Sequence, residues 1–93
     1  MTKNLKRALK EQLLPIWNQP AKVNVGKHGL TEAIFTAIDH QLASHTLIKV
    51  KFLQNFESEN LQADIQTITK KTQSQLVEKR GKTIILYRPA KQE

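Results

Sequence analysis

The chain has 93 residues, of which 39% are hydrophobic and 25% are charged, and it contains no cysteine. This composition is typical of one folded domain with a modest core. The lack of cysteine excludes disulfides, thiolate metal sites and a cysteine nucleophile. No apolar run approaches the ~20 residues that cross a bilayer, and the N-terminus lacks the apolar stretch of a secretory signal. A cytoplasmic protein is therefore expected.

The net charge of +7 is unevenly distributed along the chain. Residues 1–29 carry a net charge of +5, residues 30–44 carry −2 and residues 45–93 carry +4. This segregation predicts one positive face on the folded protein. Nucleic acid is the first expected partner of such a face, and an anionic membrane surface is the second.

Hydrophobic periodicity predicts seven elements in the order α-β-α-β-α-β-β. They are a helix over 2–14, a strand over 22–25, a helix from 31 to 44 or 45, a strand over 47–52, a helix over 57–72 and strands over 75–79 and 83–88. Pro15 is expected to end the first helix, and Gly81 lies in the tight turn between the last two strands.

Chain connectivity then predicts the architecture. Right-handed crossovers make the first strands parallel, and the terminal hairpin contributes one antiparallel strand. Residues 1–93 are thus expected to form a single domain, an α/β two-layer sandwich with a mixed four-stranded sheet. Residues 90–93 are expected to be a loose tail.

The segment Gly26-Lys27-His28-Gly29 is the strongest candidate site. It follows a predicted strand and precedes a helix whose expected N-cap is Thr31, so main-chain amides and the positive end of the helix dipole lie beside it. Glycines at both ends let the backbone turn with positive φ and approach a ligand closely. Lys27 supplies a point charge, and His28 can stack on a base or hydrogen-bond a ribose. Such a loop clamps the nucleic-acid backbone in KH-type domains, and an ordinary βα turn is the alternative.

Other basic residues extend this candidate surface. Four of them form a stripe opposite the apolar side of the first helix: Lys3, Lys6, Arg7 and Lys10. Five more follow later in the chain: Lys22, Lys49, Lys51, Lys82 and Arg88. Each of these side chains alone also fits a solvated position, whereas together they favour a polyanionic ligand.

Catalysis finds no support in the sequence. The three histidines, at positions 28, 40 and 45, share no metal-ligand spacing, and no convergent catalytic set is present. We therefore expect no enzymatic activity, no metal and no cofactor. Trp17 is expected to pack between the first helix and the sheet, with base stacking as the alternative.

Three ordered blocks resemble the signature of the CRM domain, and the whole chain resembles the stand-alone bacterial YhbY family. The blocks are VGKHGLTE at 25–32, LIKVK at 47–51 and GKTIILYRP at 81–89. The resemblance implies an RNA-binding domain with a fold similar to the C-terminal domain of translation initiation factor three. It also implies association with precursors of the large ribosomal subunit, with the GxxG loop at the centre of function. Thr46 departs from the acidic residue usual in relatives.

The resemblance and the charge together predict a monomeric, non-catalytic protein that binds structured ribosomal RNA. The alternative is a basic interaction module that acts on DNA, or on an anionic membrane surface through the helix over 2–14.

Overall fold

The computed structural model describes residues 9–89. Their elements are, in chain order, α1 (Lys10–Trp17), β1 (Val23–Val25), α2 (Glu32–Ser44), β2 (Leu47–Phe52), α3 (Leu61–Thr72), β3 (Gln75–Arg80) and β4 (Thr83–Tyr87). The expected element order is therefore confirmed. None of the helices within residues 9–89 has the length and hydrophobicity of a membrane-spanning segment. The predictions for residues 1–8 and for the tail over 90–93 lie outside the described residues.

The four strands form one mixed sheet in the order β1-β2-β4-β3. Strand β1 pairs with β2 in parallel, and β4 runs antiparallel to both β2 and β3. The sheet thus has one antiparallel strand, β4, as the connectivity predicts. Because β1 and β2 run in the same direction, both end at the same edge of the sheet, where β4 begins.

Alternation along the strands fills the main core. Ile48, Val50 and Phe52 of β2 are buried together with Ile84 and Leu86 of β4. They lie on one face of the sheet because successive strand residues point to opposite faces. Helices α2 and α3 cover this face through their own buried residues, which are Ile38, Leu42, Ile65 and Ile68.

Helix α1 packs on the opposite face of the sheet. Leu9 and Leu13 form a second buried cluster with Leu47, Val77 and Ile85. Half-buried Ile16, Trp17 and Tyr87 border this cluster. Helix α1 therefore covers the half of this face where β2 begins, and the expectation that Trp17 packs against the sheet is confirmed.

The expectation that Pro15 ends the first helix is wrong, because α1 continues to Trp17 with Pro15 inside it. Proline cannot donate to the carbonyl four residues earlier, which belongs to Glu11. Both residues are exposed, so water can satisfy that carbonyl. The packing of Ile16 and Trp17 against the second cluster stabilises the turn beyond the proline.

Helix α3 begins at Leu61, four residues later than predicted. Asn60 is its N-cap, and the side-chain oxygen accepts a hydrogen bond of 3.1 Å from the amide of Ala63. The Ser58 hydroxyl contacts the Asp64 carboxylate and accepts a hydrogen bond from the Asn60 amide. These short polar side chains satisfy first-turn donors from outside the helix, so the segment before Asn60 stays non-helical.

Candidate nucleic-acid interface

The loop between β1 and α2 is a tight turn with two exposed side chains at its corners. The Gly29 amide donates a hydrogen bond of 2.9 Å to the Gly26 carbonyl, which closes the turn. Lys27 and His28 occupy the two central positions and are both exposed. The turn therefore presents a cation and an imidazole at its tip.

The two glycines have different structural roles. Gly29 has a φ of +75°, a region that side chains with a Cβ disfavour. Gly26 is not among the residues with positive φ. A Cβ at Gly26 would lie 3.4 Å from Asn55 Oδ1 and 3.5 Å from Leu53 Cδ1. Both distances are ordinary van der Waals contacts, so the segment after β2 packs against Gly26 and leaves just enough room for a methyl group.

Helix α2 starts directly beyond this turn. Thr31 is its N-cap, as predicted, and its hydroxyl accepts a hydrogen bond of 3.2 Å from the Ile34 amide. The Thr31 amide bonds back to the Gly29 carbonyl at 3.2 Å, which couples the helix to the turn. The positive end of the α2 dipole therefore lies beside Lys27, where it favours an anion.

Two backbone contacts bring further segments to the same edge of the sheet. The Leu53 amide donates to the Val25 carbonyl, and the Phe52 amide donates to the Lys82 carbonyl, each at 2.8 Å. The hairpin turn at Gly81 and Lys82 therefore lies at the edge where β1 and β2 end. We call this region, comprising residues 26–29, 53–55 and 81–82, the loop edge.

A row of four residues crosses the sheet next to the loop edge. Asn24 pairs with Lys51, Lys51 with Thr83, and Thr83 with Arg80. These residues lie on the face opposite to α2 and α3. Asn24, Lys51 and Arg80 are exposed. Lys51 adds a cation beside the loop edge and Asn24 adds an amide, whereas the Arg80 guanidinium lies 3.7 Å from the Glu78 carboxylate.

Lys49 is held by the main chain at the end of α1. Its ammonium group donates hydrogen bonds of 2.8 Å to the carbonyls of Trp17 and Gln19, and it lies 5.6 Å from the centroid of the Trp17 ring. The guanidinium carbon of Arg80 lies 4.5 Å from the same centroid, and the indole N–H donates to Glu78 at 2.6 Å. Lys49 therefore anchors α1 to the sheet, whereas Lys51 faces solvent.

Arg88 lies at the opposite end of the sheet from the loop edge. It follows β4, and its amide bonds to the Thr46 carbonyl, just before β2 begins. Six residues of β2 separate this end from the loop edge, which is a distance of roughly 17 Å. Its guanidinium donates to Asp39 Oδ1 at 2.6 Å and to the Thr72 carbonyl at 2.9 Å. These bonds join β4 to α2 and α3.

The structure thus brings together only some of the predicted site residues. Those grouped at or next to the loop edge are Gly26, Lys27, His28, Gly29, Thr31, Lys51 and Lys82. Lys22 is exposed beside β1, and Lys10 is exposed on α1. Lys3, Lys6 and Arg7 lie outside the described residues.

Asn24 is a surface residue that the sequence pattern does not single out. Its place between two buried valines already predicts an outward direction. That Asn24 lies next to Lys51 depends on the register between β1 and β2, which no local sequence pattern predicts. Over residues 9–89, no group of three or more His, Asp or Glu side chains could hold a metal ion.

Comparisons with known proteins agree along nearly the whole chain. Residues 1–88 match the family model of the CRS1 / YhbY (CRM) domain. A protein of Haemophilus influenzae named RNA-binding protein is 36% identical over 70 residues, which are 75% of this chain and 70% of that relative. The probable RNA-binding protein YqeI of Bacillus subtilis is 33% identical over 90 residues, which are 97% of this chain and 86% of that relative.

A solved structure shares the fold. The solution structure of a hypothetical protein from Staphylococcus aureus, proposed to bind RNA, is 32% identical in sequence and matches with a TM-score of 0.75. The match covers 99% of this chain and 91% of that protein. It therefore includes the loop edge as well as the sheet and helices that support it.

Proposed function

This chain belongs to the CRS1 / YhbY (CRM) domain family, and we propose that it is a non-catalytic protein that binds ribosomal RNA of the large subunit or its precursor. Relatives from two bacteria carry RNA binding in their names. The precursor large subunit is the partner that the family resemblance implies. We extend the proposal to a monomer that acts in the cytoplasm.

The observation that carries the proposal is the grouping of anion-binding features at the loop edge. The turn at 26–29 presents Lys27 and His28, and the positive end of α2 lies behind it. Lys51 and Lys82 are exposed on the neighbouring strand and turn. Phosphate groups are bound well by helix N-termini and by clustered lysines.

The mechanism follows from this placement. The turn and the first-turn amides of α2 hold one stretch of phosphate backbone, because a turn with small ends allows a phosphate to approach the main chain. Lys51 and Lys82 attract the adjoining phosphates without a fixed geometry, as point charges in solvent do. Arg80 is held over the Trp17 ring and lies 3.7 Å from the Glu78 carboxylate, so it adds to the local charge from a fixed position. His28 stacks on a base or donates a hydrogen bond to a ribose hydroxyl. The second contact favours RNA over DNA, because DNA lacks the 2′-hydroxyl.

The membrane alternative has less support from the described part of α1. Leu9 and Leu13 are buried against the sheet, so they are not available to a lipid surface. Leu14 is the exposed large apolar residue of this helix, at 65% exposure. One exposed leucine provides far less apolar surface than the apolar face of a helix that lies on a membrane.

Fluorescence anisotropy with a folded fragment of large-subunit ribosomal RNA tests the proposal. We compare the variant K27E/H28E with the variant H45E/K70E. Both variants replace one lysine and one histidine by glutamate, and all four positions are exposed. His45 and Lys70 lie at the C-terminal ends of α2 and α3, which is the end of the sheet away from the loop edge.

The expected result is a loss of affinity of tenfold or more, about 1.4 kcal/mol or greater, for K27E/H28E only. Both variants should remain folded, and H45E/K70E should lose slightly more stability than K27E/H28E, because it places negative charge at the C-terminal ends of two helices. Equal losses for the two variants would mean that total charge, and not the loop edge, binds RNA. An unaffected K27E/H28E would contradict the proposal.

A further inference from the structure

A groove runs along the outer edge of β1, next to α2. It is a shallow groove, open to solvent, with a volume of about 580 Å³. One wall is formed by Lys22 and Val23 of the β1 segment, and the other by residues of α2 between Ala33 and Gln41. We call it the β1–α2 groove.

The strand wall of this groove offers main-chain hydrogen-bonding groups. Within residues 9–89, strand β1 pairs only with β2 and is the outermost strand of the sheet. The Lys22 amide bonds to Lys49 of β2, so the next residue, Val23, directs its N–H and C=O to the free side. The side chain of Val23 is buried at 6% exposure. Its contribution to the groove is therefore the polar edge of the backbone.

The helix wall has small side chains near the loop edge and polar side chains further along α2. The groove residues of α2 are Ala33, Thr36, Ala37, His40 and Gln41, which share one face by helical spacing. The first three have small side chains, so a planar group has room to enter between helix and strand. His40 and Gln41 then supply a ring for stacking and an amide for hydrogen bonding.

Charge and continuity indicate which ligand fits. Lys22 lines the groove, and none of the lining residues in the described part of the chain is acidic. The groove begins at Ala33, two residues after the N-cap Thr31, so it adjoins the loop that presents Lys27. A chain that places phosphates at the loop edge can therefore continue into the groove with its bases directed at the Val23 backbone.

We propose that the β1–α2 groove holds an unpaired stretch of RNA, with bases bonded to the free edge of β1 and phosphates gripped by the loop at 26–29. This inference rests on the proposed function and narrows the substrate class to single-stranded segments of a larger RNA. A duplex does not fit, because its Watson–Crick edges are already paired. The bases of an unpaired segment can reach the edge of β1.

The test uses the full chain and two labelled probes, a short single-stranded RNA of mixed sequence and the same strand annealed to its complement. The variant A33L/T36L fills the groove, and the variant A63L/T67L places the same substitutions on α3. All four positions are exposed on helices. Anisotropy gives the affinities, and amide chemical shifts in NMR identify the residues that the single strand affects.

We expect the wild type to prefer the single strand. A33L/T36L should weaken single-strand binding about tenfold, the loss that corresponds to one stacked base, while A63L/T67L and duplex binding stay unchanged. Amide shifts should move at Val23, His40 and Gln41. If the wild type binds both probes equally, or A33L/T36L behaves like A63L/T67L, the groove inference is overturned and RNA binding stands. If neither probe binds while the folded ribosomal RNA fragment still does, the groove inference is overturned and the proposed function stands; if that fragment does not bind either, the proposed function fails as well.

Discussion

The ammonium group of Lys49 lies 2.8 Å from the main-chain oxygen of Trp17, and the same group lies 5.6 Å from the centroid of the Trp17 ring. Lysine is thus a capping group for the C-terminal end of α1, where carbonyls lack partners within the helix. It also joins the helix to the centre of the sheet. Lys51, two residues later on the same face, has no such role and stays exposed.

Replacing Lys49 by methionine should therefore lower stability. The variant K49M loses two charge-assisted hydrogen bonds, which we expect to cost about 1–3 kcal/mol of unfolding free energy. The matched variant K51M should change stability by about 0.5 kcal/mol or less and should weaken RNA binding instead. Urea denaturation of both variants checks this. Equal stability losses would contradict the assignment of Lys49 to the anchoring of α1.

Replacing Arg88 should affect the fold and leave RNA binding intact. R88M removes the hydrogen bond from the Arg88 guanidinium to the Thr72 carbonyl. Because Thr72 is only 2% exposed, we expect a loss of about 1–3 kcal/mol of unfolding free energy. The ion pair with Asp39 adds little, about 0–1 kcal/mol, because that carboxylate is 62% exposed. D39N should therefore be milder than R88M in thermal denaturation. A specific loss of RNA affinity in folded R88M would place Arg88 in the interface.

The glycines of the turn should respond differently to alanine. G29A is expected to cost about 1 kcal/mol of unfolding free energy, because Gly29 has positive φ. G26A should cost less, about 0.5 kcal/mol, since the added Cβ meets Asn55 and Leu53 only at ordinary contact distances.

G81A is the matched control for backbone strain. Gly81 has a φ of +58°, and nothing lies within 4 Å of the position of an added Cβ. The loss of unfolding free energy in G81A should match that in G29A when unfolding is followed by circular dichroism. A larger loss for G26A than for G29A would show that packing, rather than φ, dominates this turn.

RNA binding should depend steeply on salt. Five basic residues lie at or near the loop edge and on β1: Lys22, Lys27, Lys51, Arg80 and Lys82. If about five phosphates are neutralised, the slope of log affinity against log salt lies between about −3.5 and −4.5. K82M should reduce the slope by about 1. Anisotropy titrations at a series of potassium chloride concentrations measure this slope. An affinity that does not change with salt would contradict the electrostatic account.

Most of the fold could be predicted from local sequence patterns. The alternation of apolar and polar residues over β2 and the helical spacing of apolar residues in α2 predict the correct elements. Each pattern arises because one face of the element is buried. The extension of α1 beyond Pro15 could not be predicted, since it depends on packing of Ile16 and Trp17 against a distant strand. The start of α3 depends on the cap at Asn60, which competes with other polar residues nearby.

The site was less predictable than the fold. Lys49 and Lys51 have the same outward direction in the sequence pattern, yet only Lys49 meets the carbonyls of α1, across 32 and 30 positions of chain. Arg88 likewise finds Asp39 across 49 positions. Such long-range partners decide whether a cation supports the fold or is available to a ligand, and no local pattern contains them.

The measurement that tests the central claim most directly is sedimentation of a low-salt cell lysate through a sucrose gradient. Wild-type protein, K27E/H28E and H45E/K70E are followed by antibody. The wild type and H45E/K70E are expected to migrate with the large ribosomal subunit or its precursors and to be released by raised salt, while K27E/H28E stays at the top. Wild-type protein found only at the top at low salt, or K27E/H28E migrating with the wild type, would contradict the account.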